Sequence, residues 1–159
     1  MRALVALAAV TWLALLIFAP VLPVPAAGIL YAFAAHLCHQ RPERSFHLFS
    51  AQLPVCARCF GIYTGAAVGL LLPLHLFGGA WLWRPSPRTL LLAGAAPTVM
   101  TVLMEWSGAW SGSNTARAAA GAWLGVAVGL VVAQAAATLH YGECVPRRPI
   151  ASNRPPTPI

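Results

Sequence analysis

The sequence predicts an all-α, polytopic membrane helix bundle of about four transmembrane helices, with one short apolar helix that re-enters the bilayer or lies along its interface. Three observations predict it. Apolar residues make up 59% of the chain and charged residues 8%, whereas soluble domains carry roughly 25% charged residues. The mean hydropathy is +0.73. The apolar residues also gather in long runs, separated by short segments rich in proline, glycine and arginine, which is the pattern of spans and connections. At 159 residues the chain reads as one transmembrane domain over 1–140, followed by a disordered Pro/Arg-rich tail over 141–159.

The first span covers 3–22, directly after Arg2. Pro25-Ala26-Ala27 raises the competing reading of a secretory signal. Signal cores run about 7–15 residues, and this run is longer, which favours a retained helix. Pro20, Pro23 and Pro25 end it, because proline removes a helix donor and clashes with the preceding turn. Residues 26–37 form a second apolar run. Twelve residues at about 1.5 Å each cover ~18 Å, well short of the ~30 Å hydrocarbon core. This run is therefore re-entrant, interfacial, or the continuation of a kinked first helix.

Residues 41–54 read as a polar connection, with Pro54 in the first turn of the next helix, where its missing N–H costs nothing. That helix, about 55–77, opens with Cys56 and Cys59 and carries Gly61, Gly65 and Gly69 at a spacing of four. Small residues at that spacing line one face and let a second helix approach closely. The loop 78–88 holds Trp81, Trp83, Arg84 and Arg88, the residue types of a membrane–water boundary. A third helix spans about 89–106, with Pro97 as a kink and Glu105 near its end. After a loop over 107–114, with Ser113 or Asn114 as N-cap, a fourth helix runs about 115–139. It carries Arg117 and a second spacing-four series, Gly121, Gly125 and Gly129.

The net charge of +7 comes from arginine alone, with no lysine. The arginines are scattered among apolar runs and form no basic face, which excludes nucleic-acid binding. Alternating helix directions put residues 36–65, Glu105, Asn114 and Arg117 at one membrane face. His75, Arg84, Arg88, His140, Cys144, Arg147 and Arg148 fall at the other. Arg2, Arg84, Arg88, Arg147, Arg148 and Arg154 on that second face outnumber Arg41, Arg44, Arg58 and Arg117 on the first. The positive-inside rule then puts the motif face outside the cytoplasm.

The chemistry concentrates in residues 36–65, which hold three of the four cysteines, three of the five histidines and three of the ten arginines. A polar, thiol-rich block in an apolar chain is costly unless something offsets it. Cys56-Ala57-Arg58-Cys59 is a C-x-x-C at a helix N-terminus. Its two thiols share a face, and unpaired backbone N–H groups and the helix dipole favour the thiolate there. Cys38, with His39 or alternatively His36, would complete a tetrahedral site for zinc or another transition metal. Glu105 is the only acid in a predicted span. An intramembrane carboxylate is expected to be paired or functional, and Arg58 and Arg117 are its candidate partners. Arg44 and Arg58 suit an anionic or lipid head group.

The run His36-x-Cys38-His39-Gln40, Arg44-Ser45-Phe46, then Pro54-Val55-Cys56-Ala57-Arg58-Cys59-x-Gly61-Ile62-Tyr63-x-Gly65 resembles the small prokaryotic membrane proteins of domain of unknown function 2085. Ser113-Asn114-x-x-Arg117-x-x-x-Gly121 is similar to that family's second motif, and the resemblance covers roughly 30–130. It implies a multi-pass protein of the prokaryotic plasma membrane and supplies no activity. Its motifs add Gln40, Tyr63 and Asn114 to the residues expected around the thiols, beside Arg44, Arg58 and Arg117.

Three functions follow. The first is a metal site at one membrane face, structural or supporting a membrane-embedded reaction, with Glu105 as the catalytic carboxylate. The odd number of thiols on that face favours it, since a disulfide accounts for only two. The second is an extracytoplasmic thiol–disulfide oxidoreductase that uses Cys56 and Cys59 with quinone; against it, one cysteine remains on that face where an electron relay needs a second pair. The third is a transporter or binder of a small anion or lipid head group.

Overall fold

The computed structural model describes residues 2–72 and 85–144. Five helices and one β-hairpin make up the described chain: α1 (Arg2–Phe18), α2 (Val24–Ala35), β1 (Ser45–Leu48), β2 (Ala51–Cys56), α3 (Ala57–Leu71), α4 (Pro87–Trp106) and α5 (Asn114–Cys144). Short 3-10 turns at Ala19–Val21 and Pro42–Arg44 precede α2 and β1. Among the described residues three stretches are long and apolar enough to cross a membrane: Arg2–Val21, Pro87–Trp106 and Asn114–Ala137. The expected fourth, α3, has 15 described residues, about 22 Å of helix. His75, the 78–84 part of the expected boundary loop and residues 145–159 of the expected tail lie outside the described residues, and α5 carries the chain as far as Cys144.

The bundle is organised by α3 and α5, which run parallel and in contact along their glycine series. A Cβ on Gly65 would strike the Ala122 carbonyl, and one on Gly125 would strike the Ile62 carbonyl. Gly61, Gly69, Gly121 and Gly129 repeat this meeting of backbones above and below. Only glycine permits that approach, which brings Cα–H and carbonyl groups of neighbouring helices into contact. α4 packs antiparallel on α5, with Gly94 against Ala127 and the Thr98 hydroxyl donating to the Ala120 carbonyl at 2.8 Å. α1 is antiparallel to α3. At one end Arg2 donates to the carbonyls of Leu70 and Leu72, orphan acceptors at a helix C-terminus. At the other end Leu16 is buried with Val55, Ala34 and Cys38.

The short apolar run folds back. The 3-10 turn before α2 and α2 itself both pack on β2, and the Tyr31 hydroxyl donates to the Gln52 carbonyl. Trp12 of α1 meets Phe33 edge-on, with centroids 5.6 Å apart. α2 therefore begins and ends at the hairpin end of the bundle and does not cross it, as its 12 residues anticipate.

The hairpin corrects the all-α expectation. Residues 45–56 form a two-stranded antiparallel sheet where a plain polar connection was expected. Its two-residue turn is Phe49-Ser50, both left-handed at φ 52° and 61°. That is the conformation of a type I′ hairpin turn, which Asn-Gly or Asp-Gly normally announces. Pro54 lies in β2 and not in the first turn of α3. It sits where the pairing is irregular, between Ser45↔Cys56 and His47↔Gln52, so its missing N–H breaks no regular ladder.

Candidate metal centre

Three connections deliver the cysteines to one place. α2 ends at Ala35, and the Cys38 amide bonds back to the Ala34 carbonyl at 2.9 Å. This turn leaves Cys38 buried beneath the hairpin exit. β2 ends at Cys56, whose extended backbone makes it the N-cap of α3. Cys59, three residues on, returns to the same face. The Cys56 amide donates to Cys38 Sγ at 3.1 Å, and the Cys56 and Cys59 sulfurs share a hydrogen bond at 3.4 Å. All three ligand atoms lie within 4.8 Å of one another, and all three cysteines are free thiols. Zn–S bonds of about 2.3 Å in a tetrahedron give S···S edges of ~3.8 Å, which these separations bracket. Cys56, just outside the helix, has its thiol pulled down to about 5. Its hydrogen bond with Cys59 is the largest cause, and burial opposes it. The lowering favours the thiolate at Cys56, the form that binds metals and attacks disulfides, while the same hydrogen bond and burial push the Cys59 thiol up.

The charged residues meet beside the thiols. Glu105 Oε1 accepts from Arg58 at 3.0 Å and from Arg117 Nε at 2.9 Å, and Arg44 approaches Oε2 at 3.8 Å. The Glu105 side chain is 9% exposed, Arg117 11% and Arg58 19%, while Arg44 at 43% lies nearer solvent. Asn114 ties the cluster to the hairpin: its Oδ1 accepts from Arg117 at 3.0 Å, and its Nδ2 donates to the Ser45 carbonyl at 3.1 Å. Ser113, not Asn114, caps α5, its hydroxyl accepting from the Ala116 amide at 3.2 Å.

Thiols and charges line one cavity of about 460 Å³. Cys38, Cys56 and Cys59 line it together with Arg44, Arg58, Glu105 and Arg117. His39 and Gln40 line it as well, whereas His36 does not. Neither histidine joins the three sulfurs within ligating reach among the described residues. Gln40 adopts a left-handed backbone and donates to the Tyr31 carbonyl at 2.9 Å, so it shapes the wall through α2. Tyr63 packs below the thiols, edge-on to Trp12 at 6.1 Å.

Sequence reasoning missed three residues. Ser45 is a buried polar residue, its hydroxyl donating to the Arg41 carbonyl at 2.8 Å. Gln52 donates to the Gln40 carbonyl at 2.6 Å and so joins β2 to the Cys38 segment. Thr101 accepts from Arg58 at 3.3 Å. Thr101 left a usable signal, because it stands one helical turn before Glu105, and Ser45 stands inside the Arg44-Ser45-Phe46 run without having been read as a site residue.

An apolar helical bundle with a thiol cluster and a buried carboxylate–guanidinium network at one end defines a class: a small membrane protein with a polar site at the end of the bundle. The family of predicted membrane proteins of domain of unknown function 2085 matches residues 38–131, and the chain belongs to that family. An uncharacterised protein of Methanocaldococcus jannaschii is 56% identical over 43 residues, 27% of this chain. Another, of Methanothermobacter thermautotrophicus, is 52% identical over 31 residues, 20% of this chain. Each alignment covers 28% of the relative's own length. No solved structure matches the chain.

Proposed function

We propose that Cys38, Cys56 and Cys59 bind a transition metal, with zinc as the leading ion, in a site exposed to the cavity at the motif end of the bundle. The observation that carries it is the meeting of three thiols, from two separate segments, within 4.8 Å. Three protein thiolates leave one tetrahedral position, and an open position is what separates a catalytic zinc from a closed structural one. His39 lines the same cavity and is the protein's candidate for that position; His36 does not line it and is the weaker one. Bound there, zinc would act as a Lewis acid. Glu105 would serve the reaction as its buried carboxylate, with Arg58 and Arg117 holding it in place. The excess of arginine at the other end of the bundle supports a motif face that looks away from the cytoplasm.

Elemental analysis of detergent-purified protein tests the reading. About one metal per chain is expected, lost in Cys38→Ser, Cys56→Ser and Cys59→Ser alike. Metal retained in Cys56→Ser would overturn the assignment.

One observation favours a second reading. The Cys56 and Cys59 sulfurs are 3.4 Å apart, so a small side-chain movement would join them as a disulfide, with quinone as the electron acceptor. Its mark would be a Cys56–Cys59 disulfide in metal-free protein as isolated.

A further inference from the structure

We infer that the arginine wall of the cavity is a binding site for a phosphate monoester, free or as a lipid head group, held by Arg44, Arg58 and Arg117. This gives the metal reading a substrate class and rests on that reading only for what else the phosphate meets in the cavity.

Three guanidiniums converge on Glu105, which leaves two positive charges without a partner in the cluster. Three thiolates around a divalent metal carry one net negative charge, which still leaves the cavity positive. Arg41 also lines the cavity, but its approach to Glu43 at 3.9 Å is solvent-exposed on both sides. Uncompensated charge in a low-dielectric site is costly, and an anion in the cavity removes that cost.

Arg58 and Arg117 both donate to the same oxygen, Oε1, while Oε2 has only Arg44 at 3.8 Å. Glu105 is thus a shared anchor that leaves guanidinium donors over. Arg58 Nε is buried without a partner among the described residues and so lies out of reach of the cavity; the donors left for an anion are other N–H groups of the three arginines. Arginine's planar fork matches the oxygens of a tetrahedral phosphate.

Position favours it as well: Arg58 lines the same cavity as Cys56 and Cys59, so a group bound to it there shares the cavity with the thiols. Arg44, at the more exposed rim, gives access from outside. A cavity of about 460 Å³ accommodates a phosphate group with part of the molecule it is attached to.

The test uses full-length, metal-analysed protein in phosphatidylcholine nanodiscs, titrated calorimetrically with inorganic phosphate. Saturable binding is expected, about tenfold weaker in Arg44→Gln, the loss of one charge-assisted hydrogen bond. Arg44 is half-exposed and its approach to Glu105 is long, so this variant keeps the fold. A parallel arm reconstitutes the protein with phosphatidic acid, whose head group is a monoester, and asks whether that lipid displaces phosphate. Displacement identifies a lipid-borne ligand; phosphate binding without displacement identifies a soluble one. Metal-loaded protein that binds neither, or an Arg44→Gln variant that binds phosphate as the parent does, overturns the proposal. A metal-free preparation that still binds phosphate supports it and counts against the metal reading alone.

Discussion

The seam between α3 and α5 and the cavity at its motif end are built from the same two helices by opposite rules. Along the seam, side chains are removed until backbones touch. Gly65 and Gly125 leave no room for a methyl group, and nothing there can ionise. At the cavity, long charged side chains are packed where apolar ones would be less costly. Arg58 and Arg117 leave these two helices to share a single carboxylate oxygen from α4. The two regions adjoin. Gly121 packs on the Arg58 carbonyl, and Gly61 on the carbonyl of Ala118, next to Arg117. The seam therefore sets the separation of the two arginines, and Glu105 bridges the gap that the seam fixes. A rigid, featureless contact lets a costly polar cluster keep one geometry.

Breaking the cluster has the largest expected effect. Glu105→Ala leaves Arg58 and Arg117 buried and unpaired, a destabilisation of about 4 kcal/mol, readable as a lower thermal midpoint in detergent. Breaking the seam comes next. Gly65→Leu drives a side chain into the Ala122 backbone, which cannot give way as a flexible side chain would; about 3 kcal/mol is expected. If the seam positions the site, this variant also lowers metal content. A variant that unfolds less readily than its parent, or keeps full metal content, would separate the two regions. Asn114→Ala sharpens the comparison at lower cost. It removes the bonds to Ser45 and Arg117 and should cost about 1 kcal/mol while leaving metal binding intact. The smallest effect is expected for His36→Ala, which should leave both stability and metal content unchanged. His39→Ala should weaken metal retention without abolishing it, as measured by competition with a chelator.

The seam was legible because close backbone approach leaves a mark in one dimension: two glycine series at spacing four. The C-x-x-C was legible for the same local reason, since residues three apart on a helix share a face. The hairpin was not legible. Its turn uses Phe49 and Ser50 in a conformation that glycine or asparagine normally signals, and its irregular pairing over Pro54 hides the strand alternation. The path of α2 was hidden too, and with it the arrival of Cys38. Twelve apolar residues do not encode which way they turn; the Trp12–Phe33 contact and the Tyr31–Gln52 hydrogen bond do, and both are tertiary. Sequence spacing could put the thiols and Glu105 at one end of the bundle. That they share one cavity depends on α3, α4 and the hairpin together.

The central claim is that Cys38, Cys56 and Cys59 bind one metal. X-ray absorption at the zinc edge, on protein purified without added metal, tests it most directly. Three sulfur scatterers at about 2.3 Å and one nitrogen or oxygen at about 2.0 Å are predicted, with no zinc signal left in Cys38→Ser. A shell of nitrogen and oxygen only, or no bound metal together with a Cys56–Cys59 disulfide, would contradict it.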